Sequence, residues 1–373
     1  MSVPAVILGI FCVIVALVDA FESVVLPRTV RRSIRLRTVF YYFSALVYSA
    51  TGRLPRKLKL RQALLVAFAP INFLTLISAW ACLMIVGFTL IHWGLSTPLI
   101  NSAEDGKFTS YFYFSGVTFF TLGYGDVVPL HGVGRLLAIL EAGLGFGFLA
   151  LVIGYVPVIY SAFSRRESTM LKLDSKAGSE PSALEIVRRH AQAGVMESLI
   201  PLLREWEDFS AQLLESYLSY PILAYYRSQH DDQSWLRSLT AMMDACMLIK
   251  GVTANGTDLT SRQLAFHAKA TFVMGRHLLV DLSYVLAVPP RTGAPTRLTH
   301  ENLEYIRATL REYGLSCAAG PDGERHLRDS IELYEPYAIG LAEDLIVDLP
   351  DWIPQADMID NWQTSAWEGA KHF

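Results

Sequence analysis

Thr121-Leu122-Gly123-Tyr124-Gly125-Asp126 follows an aromatic run, residues 111–120, whose composition suits a helix, and it lies between two long apolar stretches. Gly123 and Gly125 can take φ > 0 at little cost. Successive carbonyls can then turn to one side, where an ordinary strand would alternate them. Such a row of carbonyls, extended by the Thr121 hydroxyl, can replace the water shell of a potassium ion. Polar backbone at membrane depth is tolerated only where it lines a water-filled or ion-filled path. The six residues therefore predict a pore.

The flanking composition agrees. Residues 3–18, 71–91 and 136–160 are apolar over spanning length or close to it, whereas the chain beyond about residue 165 is ordinary and polar. The formal net charge of -3 gives no reason to expect nucleic acid. The informative charge is local. Arg28, Arg31, Arg32, Arg35, Arg37, Arg53, Arg56, Lys57, Lys59 and Arg61 occur without an Asp or Glu between Glu22 and Glu104. This marks residues 23–62 as a cytoplasmic linker, with the N-terminus outside and a large C-terminal region in the cytoplasm of a multi-pass plasma-membrane protein. The 28–61 segment also fits anionic lipid headgroups, a reading preferred to a voltage sensor because few apolar residues surround its arginines. Residues 39–50, aromatic and flanked by cations, suit a helix in the inner interface. Val18-Asp19-Ala20 loosely resembles a cleavage site, yet the absent basic n-region and the dense cations afterwards favour an uncleaved anchor. The four cysteines have no metal-like spacing.

The hexapeptide and its surroundings resemble the potassium-channel family, whose usual filter is Thr-Val-Gly-Tyr-Gly-Asp; here Leu122 stands for the valine. The resemblance covers residues 63–164 and implies an outer helix, a pore helix over 109–120 capped by Thr109 or Ser110, a filter, and an inner helix over 131–163. It implies potassium bound by the carbonyls of Thr121, Leu122, Gly123 and Tyr124, with no organic cofactor. Tyr113 stands where relatives often have a tryptophan bonded to the filter aspartate, so a Tyr113–Asp126 hydrogen bond is expected; the glutamate that some relatives place behind the filter is Val117 here. Gly145 falls at the family's hinge position, with close helix packing as the other reading. Phe146, Leu149, Ile153 and Pro157 are placed to line the cavity and an inner constriction. Glu104 and Asp105 fall in a turret loop, as cation-concentrating or merely solvating charges. One filter per chain implies a cyclic homotetramer in the bilayer.

Glu141 is the odd residue, roughly 15 Å into the inner helix at 1.5 Å per residue. A carboxylate there should face protein, with Thr118, Ser115 or a neighbouring subunit as partner. Two roles stay open: a protonated carboxyl that fixes packing, or a proton-sensitive control on the filter.

The expected fold is an all-α membrane protein: an N-terminal transmembrane helix (1–22), the basic linker (23–62), the pore module (63–164), a second linker (165–181) and a cytoplasmic helical domain (182–373). Ser182-Ala183-Leu184-Glu185 reads as a capping box. Further helices are expected at 196–217, 220–229, 234–250, 260–287, 300–313 and 324–347. No Gly-x-Gly-x-x-Gly turn between strands is present, so a dinucleotide-type regulatory domain is not expected. The region resembles the helical tail of some bacterial channel-like proteins over residues 206–244, a likeness that names no regulatory ligand. Asp244, and His277 with Asp281, suit core hydrogen bonds better than a metal site. Arg227, Gln229 and His230 suit a helix cap better than an anion or subunit site. No nucleophile–base constellation points to an enzyme.

Overall fold

The computed structural model describes residues 1–24, 47–48, 50–51, 54–55, 59–100, 107–178, 180–228, 233–254, 256–317 and 320–354. Most basic positions of the linker, most of the 39–50 segment, Glu104, Asp105, Gln229 and His230 lie outside the described residues. Apart from one two-residue ladder, the regular structure described is helical, as an all-α membrane protein requires. Among the described residues, three helices are long and apolar enough to cross a membrane. The chain divides into two compact units, Met1–Ser161 and Ala162–Phe373.

In the first unit, α1 (Val3–Val24) packs along α2 (Lys59–Gly94). Glycine permits the contact: a Cβ on Gly9 would stand 2.5 Å from the Gly87 carbonyl oxygen. Close approach of this kind replaces the hydrophobic effect between helices in lipid. The buried Asp19 carboxylate of α1 accepts the Trp80 indole N–H at 2.8 Å. Pro70 stands inside α2 without ending it. Strand β1 (Leu99–Ile100), helix α3 (Phe108–Phe119), strand β2 (Val128–Pro129) and helix α4 (Gly132–Ala177) follow. Residues 165–177, expected as linker, continue α4. No Gly or Pro follows Pro157 until Gly178, which takes φ 90 just after the helix ends.

The second unit contains the helices α5 (Ala183–Gln192), α6 (Leu199–Ser219), α7 (Trp235–Thr253), α8 (Leu259–Val285), α9 (His300–Glu312), α10 (Gly320–Glu332) and α11 (Glu335–Leu345). The helix expected at 220–229 is a 3-10 turn, Pro221–Tyr225, and the one expected at 324–347 is two helices, broken just before Pro336. Helix α7 is buried on nearly every side and packs against α5 and α8, with α8 also against α6.

Asp244 is wholly buried on α7, where the Arg297 guanidinium binds it through Nη1 at 3.0 Å and Nη2 at 2.9 Å, and Tyr334 donates to it as well. Arg297 also donates to Glu335 at 3.0 Å and to the Pro350 carbonyl at 2.7 Å, tying four chain segments together. Asp244 is thus a satisfied core residue, whereas His277 and Asp281, expected in the core, are exposed and 3.8 Å apart. Arg227 donates to the carbonyls of Leu345 (2.9 Å) and Ile346 (2.7 Å), closing the C-terminal end of α11.

Replacing Arg297 with Ala strands a buried carboxylate and should cost about 3–5 kcal/mol, measured by denaturant unfolding followed through tryptophan fluorescence.

Ser182 caps α5 by accepting the Glu185 N–H at 3.3 Å, but the Glu185 carboxylate turns to Arg188 (2.7 and 2.6 Å) and Arg189 (2.6 Å) instead of closing the capping box. Burial raises the Glu185 pKa, and the two arginines more than reverse this, so it lies below its ordinary value. Its contribution is therefore complete above the ordinary glutamate range and is lost as pH falls through the depressed value. Glu185→Gln should lower stability at neutral pH and flatten this acid limb, read from melting temperatures across an acid titration.

Candidate functional site

The residues before the hexapeptide form α3, whose N-cap is Lys107, without a side-chain cap, instead of Thr109 or Ser110. The helix starts earlier because Phe108 can stack edge-on against Trp93 of α2, ring centres 5.9 Å apart. At its other end Thr121 N–H bonds the Thr118 carbonyl at 3.0 Å and Leu122 N–H that of Val117 at 2.9 Å. The backbone then alternates. Thr121 takes φ 57, Gly123 φ 62 and Gly125 φ 76, while Leu122 and Tyr124 between them do not enter the left-handed region. Such alternation is how an extended chain directs consecutive carbonyls to one side. A threonine held there is strained, since only glycine adopts that region freely. All six residues from Thr121 to Asp126 are exposed in the single chain.

The segment is braced from both sides. Tyr113 Oη donates to Asp126 Oδ2 at 2.6 Å, joining α3 to the end of the hexapeptide. That bond is the main cause holding the Asp126 carboxyl below its ordinary pKa. Beyond it, β2 pairs antiparallel with β1, Leu99 opposite Pro129 and Ile100 opposite Val128. Leu130 N–H bonds the Pro98 carbonyl at 2.9 Å, and Tyr111 Oη donates to the Thr97 carbonyl at 3.0 Å. Arg135 Nε reaches the Pro129 carbonyl at 3.3 Å.

Behind the segment lies α4, which runs unbroken through Gly143, Gly145 and Gly147. A Cβ on Gly145 would stand 1.9 Å from the Phe119 carbonyl oxygen, whereas Gly143 and Gly147 border open space. In this conformation Gly145 serves close packing: the C-terminal end of α3 rests directly on it. Phe146, Leu149, Ile153 and Pro157 are exposed on α4. Only 11% of the apolar window of α4 is buried, against 50% for α2, so the inner helix leaves most of its apolar surface uncovered by its own chain.

Glu141 is wholly buried. His92 Nε2 lies 3.8 Å from Glu141 Oε2. His92 is itself wholly buried. Its Nδ1 lies 3.2 Å from Thr97 Oγ1, and its ring sits edge-on to Phe114, centres 5.2 Å apart. The Ser115 hydroxyl faces the carboxyl, without a hydrogen bond of good geometry. A His-Trp pair at the end of an apolar run gave no hint that the imidazole turns inward.

Three apolar helices with a short helix and a carbonyl-bearing turn between the last two define a pore module of the two-transmembrane kind. Residues 73–161 match the family model described as "Ion channel". Among curated proteins, the chain is 25% identical over 173 residues to the uncharacterized membrane protein YdjJ of Bacillus subtilis, covering 46% of this chain and 50% of that one. It is 37% identical over 84 residues to Protein LctB of Bacillus caldotenax, 20% of this chain and 62% of the relative. The inward rectifier potassium channel Kirbac3.1 of Paramagnetospirillum magnetotacticum is 32% identical over 99 residues, 26% of this chain and 32% of the relative. The chain thus spans half to about three fifths of the length of the first two. No solved structure matches it.

Gly145→Ala should drive α3 off α4. The variant is expected to lose most of the folded protein recovered in detergent, whereas Gly143→Ala, with open space around it in the single chain, should be recovered like the parent; size-exclusion yields of the two decide.

Proposed function

We propose that the protein is a potassium-selective channel that works as a cyclic homotetramer, passing potassium passively through a path lined by Thr121, Leu122, Gly123 and Tyr124 carbonyls. The observation that carries this reading is the alternation of backbone handedness at Thr121, Gly123 and Gly125, because it aims polar groups to one side of a chain flanked by spanning helices. The ion-channel match over residues 73–161 and the likeness to a named potassium channel support it. Exposure of all six filter residues and of most of α4 in a single chain supports closure by further copies, since one copy cannot surround an ion. Potassium is cargo here, so no resident cofactor is invoked.

The helical unit is assigned the assembly or gating of the pore, with α4 as the element held at its foot. Arg166 on α4 is buried and donates to Tyr217 Oη (3.2 Å), the Leu223 carbonyl (3.1 Å), the Tyr226 carbonyl (2.7 Å) and Glu167 (3.0 Å). A rearrangement of those turns would therefore pull on the helix that carries Ile153 and Pro157. The orientation proposed puts the N-terminus outside and this unit in the cytoplasm, with the 28–61 basic segment against anionic lipid.

The test is rubidium uptake into proteoliposomes holding the purified full chain. Potassium-competed uptake supports the reading, and Gly123→Ala should abolish it while the tetramer persists. Sodium permeation would point to a weakly selective cation channel, with Leu122 as the first residue to revert to valine. A well-formed tetramer without flux would point to a non-conducting sensor or scaffold.

A further inference from the structure

Within the first unit, four buried polar atoms lack a well-formed hydrogen bond, namely His92 Nε2, Ser115 Oγ and both carboxyl oxygens of Glu141, although His92 Nε2 lies 3.8 Å from that carboxyl and the Ser115 hydroxyl faces it. They come from three different elements, α2, α3 and α4. Orphaned polar atoms cost little in water and much in an apolar interior. Convergence of this many calls for a bridging group, and it has to satisfy acceptors and donors together. Among the described residues no third His, Cys, Asp or Glu joins the pair to hold a metal. Water fits: it needs two to four polar partners, and these atoms supply them.

We propose that His92, Ser115 and Glu141 form a buried water-and-proton site that clamps the outer, pore and inner helices of one protomer together behind the filter segment, with one proton held on the carboxyl. Charge decides where that proton sits. An ion pair at 3.8 Å, supported on the imidazole side by the 3.2 Å contact of His92 Nδ1 with Thr97, does not recover the desolvation of two charges. A neutral imidazole beside a neutral carboxyl avoids that cost. The carboxyl O–H then faces His92 Nε2 across a gap too long for a direct hydrogen bond, while His92 Nδ1 is left to Thr97. Water bridges the remaining carboxyl oxygen to Ser115.

The other titratable and charged groups of the surrounding elements are engaged elsewhere. Tyr111 donates to the Thr97 carbonyl, Tyr113 and Asp126 bind each other, and Arg135 reaches the Pro129 carbonyl. Adding a proton would leave one buried cation, and removing it one buried anion, each without a partner. The site therefore keeps its single proton across the neutral range and acts as a pin, not as a switch. Of the two roles that suit a carboxyl at this depth, this selects the one that fixes packing. Ser115 lies six residues before Thr121, so the pin positions α3 and, through it, the filter.

Because the positioning role rests on the channel reading, the decisive test does not use conduction. Infrared spectra of the full-length protein in lipid should contain a protonated-carboxyl band that Glu141→Gln removes and that stays constant between mildly acidic and mildly alkaline buffer. Ser115→Ala, a small change that preserves the fold, should shift this band by removing the water's second anchor. Amide hydrogen exchange in α3 should rise about tenfold in Glu141→Leu, which leaves His92 and Ser115 orphaned, and stay near parental in Glu141→Gln. A carboxyl band that titrates within the neutral range, or one absent from the parent, overturns the proposal. So does a band unmoved by Ser115→Ala. Should flux fail while the band behaves as described, the channel reading falls and the site stands.

Discussion

In an apolar medium every peptide group needs a partner, and helices meet that demand internally. The segment from Thr121 to Asp126 is the place where this unit departs from it. Its alternating backbone leaves carbonyls without intrachain ladder partners, so the surrounding structure has to hold a conformation that the chain would otherwise abandon. The supports are each short-range and of different kinds. A Tyr113–Asp126 hydrogen bond closes one end, and a two-residue ladder with the Pro98–Leu130 bond ties down the far side. Beneath, the Phe119 carbonyl rests on a glycine that admits no side chain.

The helical unit solves a different problem by a repeated device. Buried and half-buried arginines collect carbonyls and carboxylates from segments far apart in the chain. Arg297 joins α7, α11 and the Pro350 carbonyl, Arg166 gathers the turn after α6, and Arg227 closes the end of α11. A guanidinium has five donors in a fixed fork, so one residue can fix several loop carbonyls that have no helix to bond. The buried desolvation is offset only while each donor is used, which makes these residues points of specificity more than of net stability.

The pore module was legible in the sequence because its signals are local. Two glycines at fixed spacing and a tyrosine thirteen residues before an aspartate leave little freedom. Helix positions in the second unit were mostly legible from apolar period and from Pro or Gly breaks. What was not legible was pairing across distance. Nothing in the local pattern joins Arg297 to Asp244 or Trp80 to Asp19, and a histidine at the end of an apolar run looks the same whether it meets water or a buried glutamate. The continuation of α4 past residue 164 was masked differently: polar composition suggested a linker, although the stretch contains no residue that stops a helix. Gly145 shows the same limit from another side, since hinge and contact require the same missing side chain.

Two carboxyls inside apolar helices, Asp19 and Glu141, make the general point about polar groups at depth. Asp19 receives a neutral donor from Trp80 at hydrogen-bond distance, a contact that offsets its burial and also fastens α1 to α2. Glu141 has no donor held as firmly, and its neighbours are an imidazole Nε2 and a hydroxyl that lack well-formed hydrogen bonds of their own. A group in the first situation welds two helices. A group in the second makes three helices depend on whatever completes the set, and that dependence falls on α3, the helix whose last carbonyls hand the chain over to Thr121.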